Sequence, residues 1–327
     1  MDRSPNPRRV FVLGGTGTIG RATVRALAKR GHEVVCFVRP KADTNITGLH
    51  GDVIFRHGEV TDAASVARDG FRGERFDALV SCLASRTGAP KDAWAIDHQA
   101  HVDALEAAEK AGVEQMVLLS AICVQKPLLA FQHAKLAFEK TLAGSGLTYS
   151  IVRPTAYFKS LSGQIDRLRR GKPFLVFGDG TLTACKPISD DDLGRYLAEC
   201  LDDESRKNRI LPIGGPGDAI TPRQQGERLF DLLGREPRFK EVPVALLDVI
   251  AGTLGALGRV MPPLAAKAEL ARIGGYYATE SMLVLDETTG RYDADLTPST
   301  GSETLFDFYA RVIRNEASVE RGEHAVF

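Results

Sequence analysis

The sequence predicts an α/β protein, a doubly wound parallel sheet that carries a smaller C-terminal lobe. Three observations support that reading. From residue 8 to residue 153, short β-branched runs alternate with amphipathic segments at helical spacing, the pattern of a parallel sheet covered on both faces. Gly14, Gly17 and Gly20 follow the first run directly and open the first helical segment. Beyond Pro154 the alternation stops, and helical stretches broken by glycine and proline take over.

Taken in order, the expected strands are RVFVLGG, HEVVCFVR, VIFRHGEV, FDALVSCLA, EQMVLLSA and TYSIVRP, the last ending at Pro154. Between them, IGRATVRALAKRG and WAIDHQAHVDALEAAEKAG place apolar residues at helical spacing and end on the glycines that terminate helices. After Pro154 the chain gives a helix, a hairpin-like strand pair around Gly178 to Gly180, and a helix opening on Ser189 and Asp190. NRILPIGG then supplies one more strand for the main sheet. The expected organisation is a core over residues 8–153, joined by the strand near 208–214. A second lobe comes from 154–207 and 215–315, and a frayed tail spans 316–327.

The composition is that of an ordinary globular chain: 327 residues, 43% hydrophobic and 26% charged. Lysine plus arginine balances aspartate plus glutamate at 42 each, so no net field attracts nucleic acid, and none is expected as a partner. The five cysteines are scattered without a C-x-x-C pair, which fits a reducing compartment and no metal site. No apolar run reaches the roughly 18 residues of a membrane span. The nearest, VALLDVIAGTLGALG at 244–258, reads as a helix on the core or over an apolar ligand, with a peripheral membrane contact as the alternative. The N-terminal MDRSPNPRR has no apolar signal core and is short for a transit peptide, so a cytoplasmic protein, bacterial in origin, is expected.

The strand-turn-helix of VFVLGGTGTIGRATVRAL is a dinucleotide-binding fingerprint of the Rossmann kind. Gly14, Gly15, Thr16, Gly17, Thr18, Ile19 and Gly20 form a turn tight enough for backbone to approach a pyrophosphate at a helix N-terminus. Just past the second strand the chain places Arg39 and then Lys41, where an acid would select NAD. A guanidinium there suits the 2′-phosphate, so NADPH is the expected cofactor. Asp62 can frame the adenine or cap the helix that follows it. The small residues of SCLASRTG, including Cys82, Leu83 and Ala84, would let the nicotinamide half pass the sheet edge. Cys82 reads as small packing rather than as a nucleophile, because no histidine is placed to activate it.

After the fifth strand comes LLSAICVQKPLLAFQHAKLAFE, which with this order of elements resembles the short-chain dehydrogenase/reductase superfamily. Its acid-base group is a serine, a tyrosine and a lysine four residues after the tyrosine. These positions fall on Ser120, Phe131 and Lys135. The strings SIVRPTAYFKSLSGQ, FGDGTLTACKPIS and GGYYATESMLV narrow the resemblance to the NADPH-dependent 8-vinyl reductases of divinyl chlorophyllide, an atypical branch. That resemblance implies reduction of a vinyl group on a tetrapyrrole to ethyl, in chlorophyll or bacteriochlorophyll synthesis. It also implies that phenylalanine at 131 belongs to the branch's own pattern. Two other readings stand beside it: a non-catalytic NADP-sensing or assembly protein of the same fold, and an isoflavone-reductase-like enone reductase.

For such a reaction Lys135 would hold the nicotinamide ribose and keep the field positive. Phe131 would pack on the flat ring, or merely fill a gap. The proton source stays open among Tyr157, Lys159, Lys186 and water. His98 and His101 read as packing or capping groups rather than metal ligands. Tyr276, Tyr277 and Met282 can stack on the ring or be core, and Arg272 and Lys267 suit its propionate.

Overall fold

In the computed structural model, which describes Ser4 and residues 6–46, 48–49, 53–258 and 262–319, the β-branched runs become strands. These are β1 (Arg9–Leu13), β2 (Glu33–Val38), β3 (Val53–His57), β4 (Ala78–Ser81), β5 (Gln115–Leu119) and β6 (Thr148–Pro154). Two later strands follow, β7 (Phe174–Phe177) and β8 (Arg209–Ile213), and β8 joins the sheet. The order is β3-β2-β1-β4-β5-β6-β8, with β1 to β6 paired in parallel. β1 has β2 on one side and β4 on the other, so the winding reverses there, and the crevice at the carboxyl ends of β1 and β4 is where such sheets take ligands.

Every residue of β4 and β5 is buried, which is why these runs are apolar without alternation. On one face of the sheet Phe11 stacks on Phe71 at 4.0 Å and meets Phe76 edge-on at 5.3 Å. Burying each such ring contributes roughly 2 kcal/mol. Helix α1 (Thr18–Lys29) buries Val24 and Leu27 against the sheet side. Helix α2 (90–110) contains a π-wound turn at Trp94–Gln99 and turns Asp97 and His101, four residues apart, to its buried face. Helix α3 (Ala130–Ala143) follows β5.

Helix α4 (Asp190–Glu199) packs on α1, where a Cβ at Gly194 would lie 2.6 Å from the Ala22 backbone. This corrects the expected boundary: residues 190–207 belong with the sheet. The helix is amphipathic and buries Leu193, Tyr196 and Leu197, but an apolar stripe does not name its partner. The chain forms two compact units. The first takes residues within 1–85, 90–154 and 190–212, and the second takes 86–89, 155–189 and residues from 213 onward.

The second unit is held by Phe158, Leu168, Phe174, Phe230 and Tyr309. Its expected hairpin at Gly178–Gly180 is absent. β7 instead pairs in parallel with β9 (Phe239–Val242), while Gly178 and Gly180 adopt positive φ and turn the chain away. Helix α5 (Pro222–Leu232) starts on a Thr221–Gln224 capping box with proline at its first turn. Helices α6 (Ala245–Gly258) and α7 (Pro262–Thr279) pack on each other. They are followed by the hairpin β10 (Val284–Asp286) and β11 (Arg291–Asp293) and by helix α8 (Leu305–Ile313). Of the expected frayed tail, 320–327 lie outside the described residues. No helix among the described residues is long and apolar enough to cross a membrane.

Candidate active site

The glycines of the first turn divide by what their missing side chains make room for. Gly14 sits at φ +71°, and a Cβ there would lie 2.6 Å from the carbonyl of Cys82, the residue after β4. A Cβ on Gly20 would lie 2.0 Å from the Gly14 oxygen. Both are glycine so that the turn, the strand and the helix can close on each other. A Cβ on Gly17 would meet only the Gly14 oxygen, at 3.4 Å, so its bareness serves something outside the protein. Gly17 is the N-cap of α1, no side chain caps the helix, and its first turn holds no acid. That leaves amide donors and a positive dipole end for an anion, and a pyrophosphate fits.

Arg21, which the sequence reading passed over, staples this turn to the loop after β2. Its Nε donates to the Thr16 carbonyl at 3.0 Å and its Nη1 to the Asn45 carbonyl at 3.3 Å. In that loop Arg39 and Lys41 are exposed, with no side-chain partner among the described residues. Asp62 caps its own helix: its Oδ1 accepts from the Ala64 amide at 3.0 Å.

At the end of β4 a hydrogen-bonded chain fixes the backbone of Cys82, Leu83 and Ala84. The Ile96 carbonyl can only accept, so His101 donates to it from Nδ1 at 2.9 Å. Nε2 therefore accepts from the Ser81 hydroxyl at 2.8 Å, and Ser81 in turn accepts from the Leu83 amide at 3.3 Å. Burial, reinforced by the positive charge of Lys135, pushes the His101 pKa down to about 4. His98 packs edge-on against Trp94 at 5.4 Å. Burial also pushes the Cys82 thiol up to about 11, and its Sγ lies 3.5 Å from the Thr23 hydroxyl, so it is a packing group rather than a nucleophile.

Lys135 lies on α3 with its ammonium 3.0 Å from Asp97 Oδ1 on α2, the side chains 11% and 0% exposed. The same oxygen accepts from the Ser85 amide at 3.3 Å, while Asp97 Oδ2 is buried without a partner among the described residues. The sequence reading missed Asp97. Its signal was present, an acid at helical spacing with the buried Ala93, Ala100 and Ala104. Phe131 is half-buried one turn before Lys135 on the same face. Beside it, buried Gln132 accepts from the amides of Leu128 and Leu129 at 2.7 and 2.9 Å and donates to the Cys123 carbonyl at 3.1 Å, tying the preceding loop to the helix.

The Ser120 hydroxyl donates to buried Glu139 at 2.5 Å, and Glu139 also pairs with Arg153. Its proton is thus committed within the protein, and what Ser120 has left to offer is a lone pair. In the second unit, half-buried Tyr157 precedes the short helix Phe158–Leu161, and Lys186 donates from Nζ to the Thr297 carbonyl at 3.1 Å. Tyr276 is buried with Tyr277 edge-on at 5.6 Å, and Arg272 pairs with Glu269 at 2.9 Å.

The NAD(P)H-binding family profile matches residues 14–204. The chain is 49% identical to the chloroplastic divinyl chlorophyllide a 8-vinyl-reductase of Oryza sativa subsp. indica, over 99% of this chain and 83% of that protein. The protein of the same name from Arabidopsis thaliana is 47% identical over 98% and 81%. Among solved structures, the Bordetella bronchiseptica enzyme WbmG in complex with NAD superposes with a TM-score of 0.69 at 16% identity, over 96% of each chain, which bears on the fold alone.

Proposed function

The chain belongs to the NAD(P)H-binding family and, within it, to the divinyl chlorophyllide a 8-vinyl-reductases, and from that membership we propose how its own residues carry the reduction. It is an oxidoreductase that converts the 8-vinyl group of a divinyl chlorophyllide to ethyl. A bound nicotinamide dinucleotide supplies the hydride. The observation that carries the reading is Phe131 standing one turn from a Lys135 that is held by a buried carboxylate.

A carbonyl reductase needs a hydroxyl acid where Phe131 stands, because its product begins as an alkoxide. Hydride added to the terminal vinyl carbon makes no oxygen anion. The charge spreads into the macrocycle, and a proton is then taken up on the carbon beside the ring. Phe131 packs against that ring and excludes water from the transfer path. The proton comes from Tyr157, Lys159, Lys186 or a bound water; the Lys186 ammonium gives one of its three N–H groups to the Thr297 carbonyl.

The dinucleotide is NADPH. The turn from Gly14 to Gly20 receives the pyrophosphate, Arg39 and Lys41 take the 2′-phosphate, the backbone of Cys82 to Ala84 lines the nicotinamide half, and Lys135 holds its ribose. Supporting this, Arg39 and Lys41 are exposed cations beside the turn with no side-chain partner among the described residues. The exposed Leu246, Val249, Ile250 and Leu257 of α6 offer a surface to an apolar ligand or, as the alternative, to a peripheral membrane contact.

Mixing the protein with divinyl chlorophyllide and NADPH is expected to give a blue shift of the Soret band, with NADH much slower. Tight NADPH binding without any shift would turn the reading to a nucleotide-sensing or assembly protein.

A further inference from the structure

We infer that Asp97 is a cofactor-binding residue: its Oδ1 fixes the Lys135 ammonium, and its Oδ2 accepts a hydrogen bond from the nicotinamide-ribose diol. This rests on the proposed placement of that ribose at Lys135. Asp97 lies wholly within the protein, and its Oδ1 is served twice, by Lys135 at 3.0 Å and by the Ser85 amide at 3.3 Å. Its Oδ2 is equally buried and receives nothing from the described residues. A buried carboxylate oxygen left without a donor is costly, and folded proteins rarely keep one without a use for it.

Three neighbouring donors are already spent. The Ser81 hydroxyl goes to His101, the His101 Nδ1–H to the Ile96 carbonyl, and the Ser85 amide to the other oxygen of Asp97 itself. A ligand hydroxyl supplies the missing donor. Ser85 lies four residues past the end of β4, at the carboxyl edge where the winding reverses, so the ligand lies at the nucleotide crevice.

The chemistry that fits is a vicinal diol. Lys135 has three N–H donors and spends one on Asp97; a hydroxyl can accept from a second and donate its own proton to Oδ2. Cation and carboxylate together thus read both faces of one hydroxyl pair. An asparagine at 97 breaks the match, because an amide accepting from Lys135 turns its NH2 toward the hydroxyl and leaves the hydroxyl proton without an acceptor.

The test is equilibrium titration of wild type and Asp97→Asn with NADPH and with 2′,5′-ADP, which carries the adenosine half without a second ribose. Asp97→Asn is expected to weaken NADPH by about tenfold or more and leave 2′,5′-ADP unchanged. Equal weakening of both would reduce Asp97 to a structural role, and unchanged NADPH affinity would assign its Oδ2 to water; either result overturns the inference. NADH and ADP are titrated in parallel. If the 2′-phosphate has been misassigned, wild type prefers NADH, and the NADH-to-ADP comparison still decides about Asp97. Should Asp97→Asn melt with a broadened or lowered transition, Asp97→Glu, which keeps the charge and displaces it by one methylene, is scored by the same two ratios.

Discussion

The carboxyl edge of the first unit's sheet and the outward face of α6 in the second unit both reverse the usual sorting of side chains. The first buries charge: Asp97, Lys135 and Glu139 lie inside, paired or hydrogen-bonded, beside the neutral imidazole of His101. The second exposes oil: Leu246, Val249, Ile250 and Leu257 recur along one face of a helix. Single exposed apolar residues need no explanation, but buried charge and a contiguous apolar stripe do. The two reversals differ in what completes them. The buried charges largely satisfy one another and ask for one polar ligand, whereas the stripe asks for apolar surface.

The largest way to break this comparison is to remove one charge from the buried edge. Lys135→Met leaves Asp97 as an uncompensated internal carboxylate, expected to cost about 3–5 kcal/mol in urea unfolding and to abolish turnover. Phe131→Tyr, one turn away, is expected to keep vinyl reduction within about threefold of wild type, since no oxygen anion forms for the phenol to serve. Loss of activity in Phe131→Tyr with activity retained in Lys135→Met would reverse the roles given to these residues.

Acid probes the same edge more gently. His101 is held neutral, its pKa depressed by burial to about 4 from the ordinary 6.5. The unfolded chain therefore binds this proton first as pH falls. Stability is complete above about pH 6.5 and declines through pH 4, by about 3 kcal/mol for this group. His101→Gln is expected to flatten that part of the stability profile measured by urea titration across pH 4–7; an unchanged slope would mean that other groups set it.

How much of this was legible beforehand follows from the same contrast. The glycine turn and the six parallel strands could be read because strand runs and Gly14, Gly17 and Gly20 are local patterns whose geometry needs no distant partner. Asp97 was not read, because its meaning depends on Lys135, which the adjacency of β4 and β5 brings to it across 38 positions of sequence. Glu139 was hidden likewise, since only the fold shows that it takes the Ser120 proton. Asp62 carried two local meanings, and the capping bond bears out one of them. The strand at 174–177 was read with the wrong partner because its turn, at Gly178 and Gly180, is local while its ladder to 239–242 is not.

The smallest expected effect on stability falls on the exposed face. Leu246 and Val249 are 47% and 63% exposed, and between Val249 and Leu257 the hydroxyl of Thr253 donates back to the Val249 carbonyl at 2.8 Å, leaving the stripe little to offer water. Leu246→Glu with Val249→Glu is therefore expected to change unfolding free energy by no more than about 0.5 kcal/mol per site. A drop beyond about 2 kcal/mol would place these side chains in a packed contact instead. If lipid is what covers the stripe, wild type floats with vesicles of phosphatidylcholine and an anionic lipid while the double variant stays below, because each glutamate adds a charge that must be kept out of the acyl region. Equal flotation of both would leave α6 an ordinary surface helix, and the apparent symmetry between the two reversals would disappear.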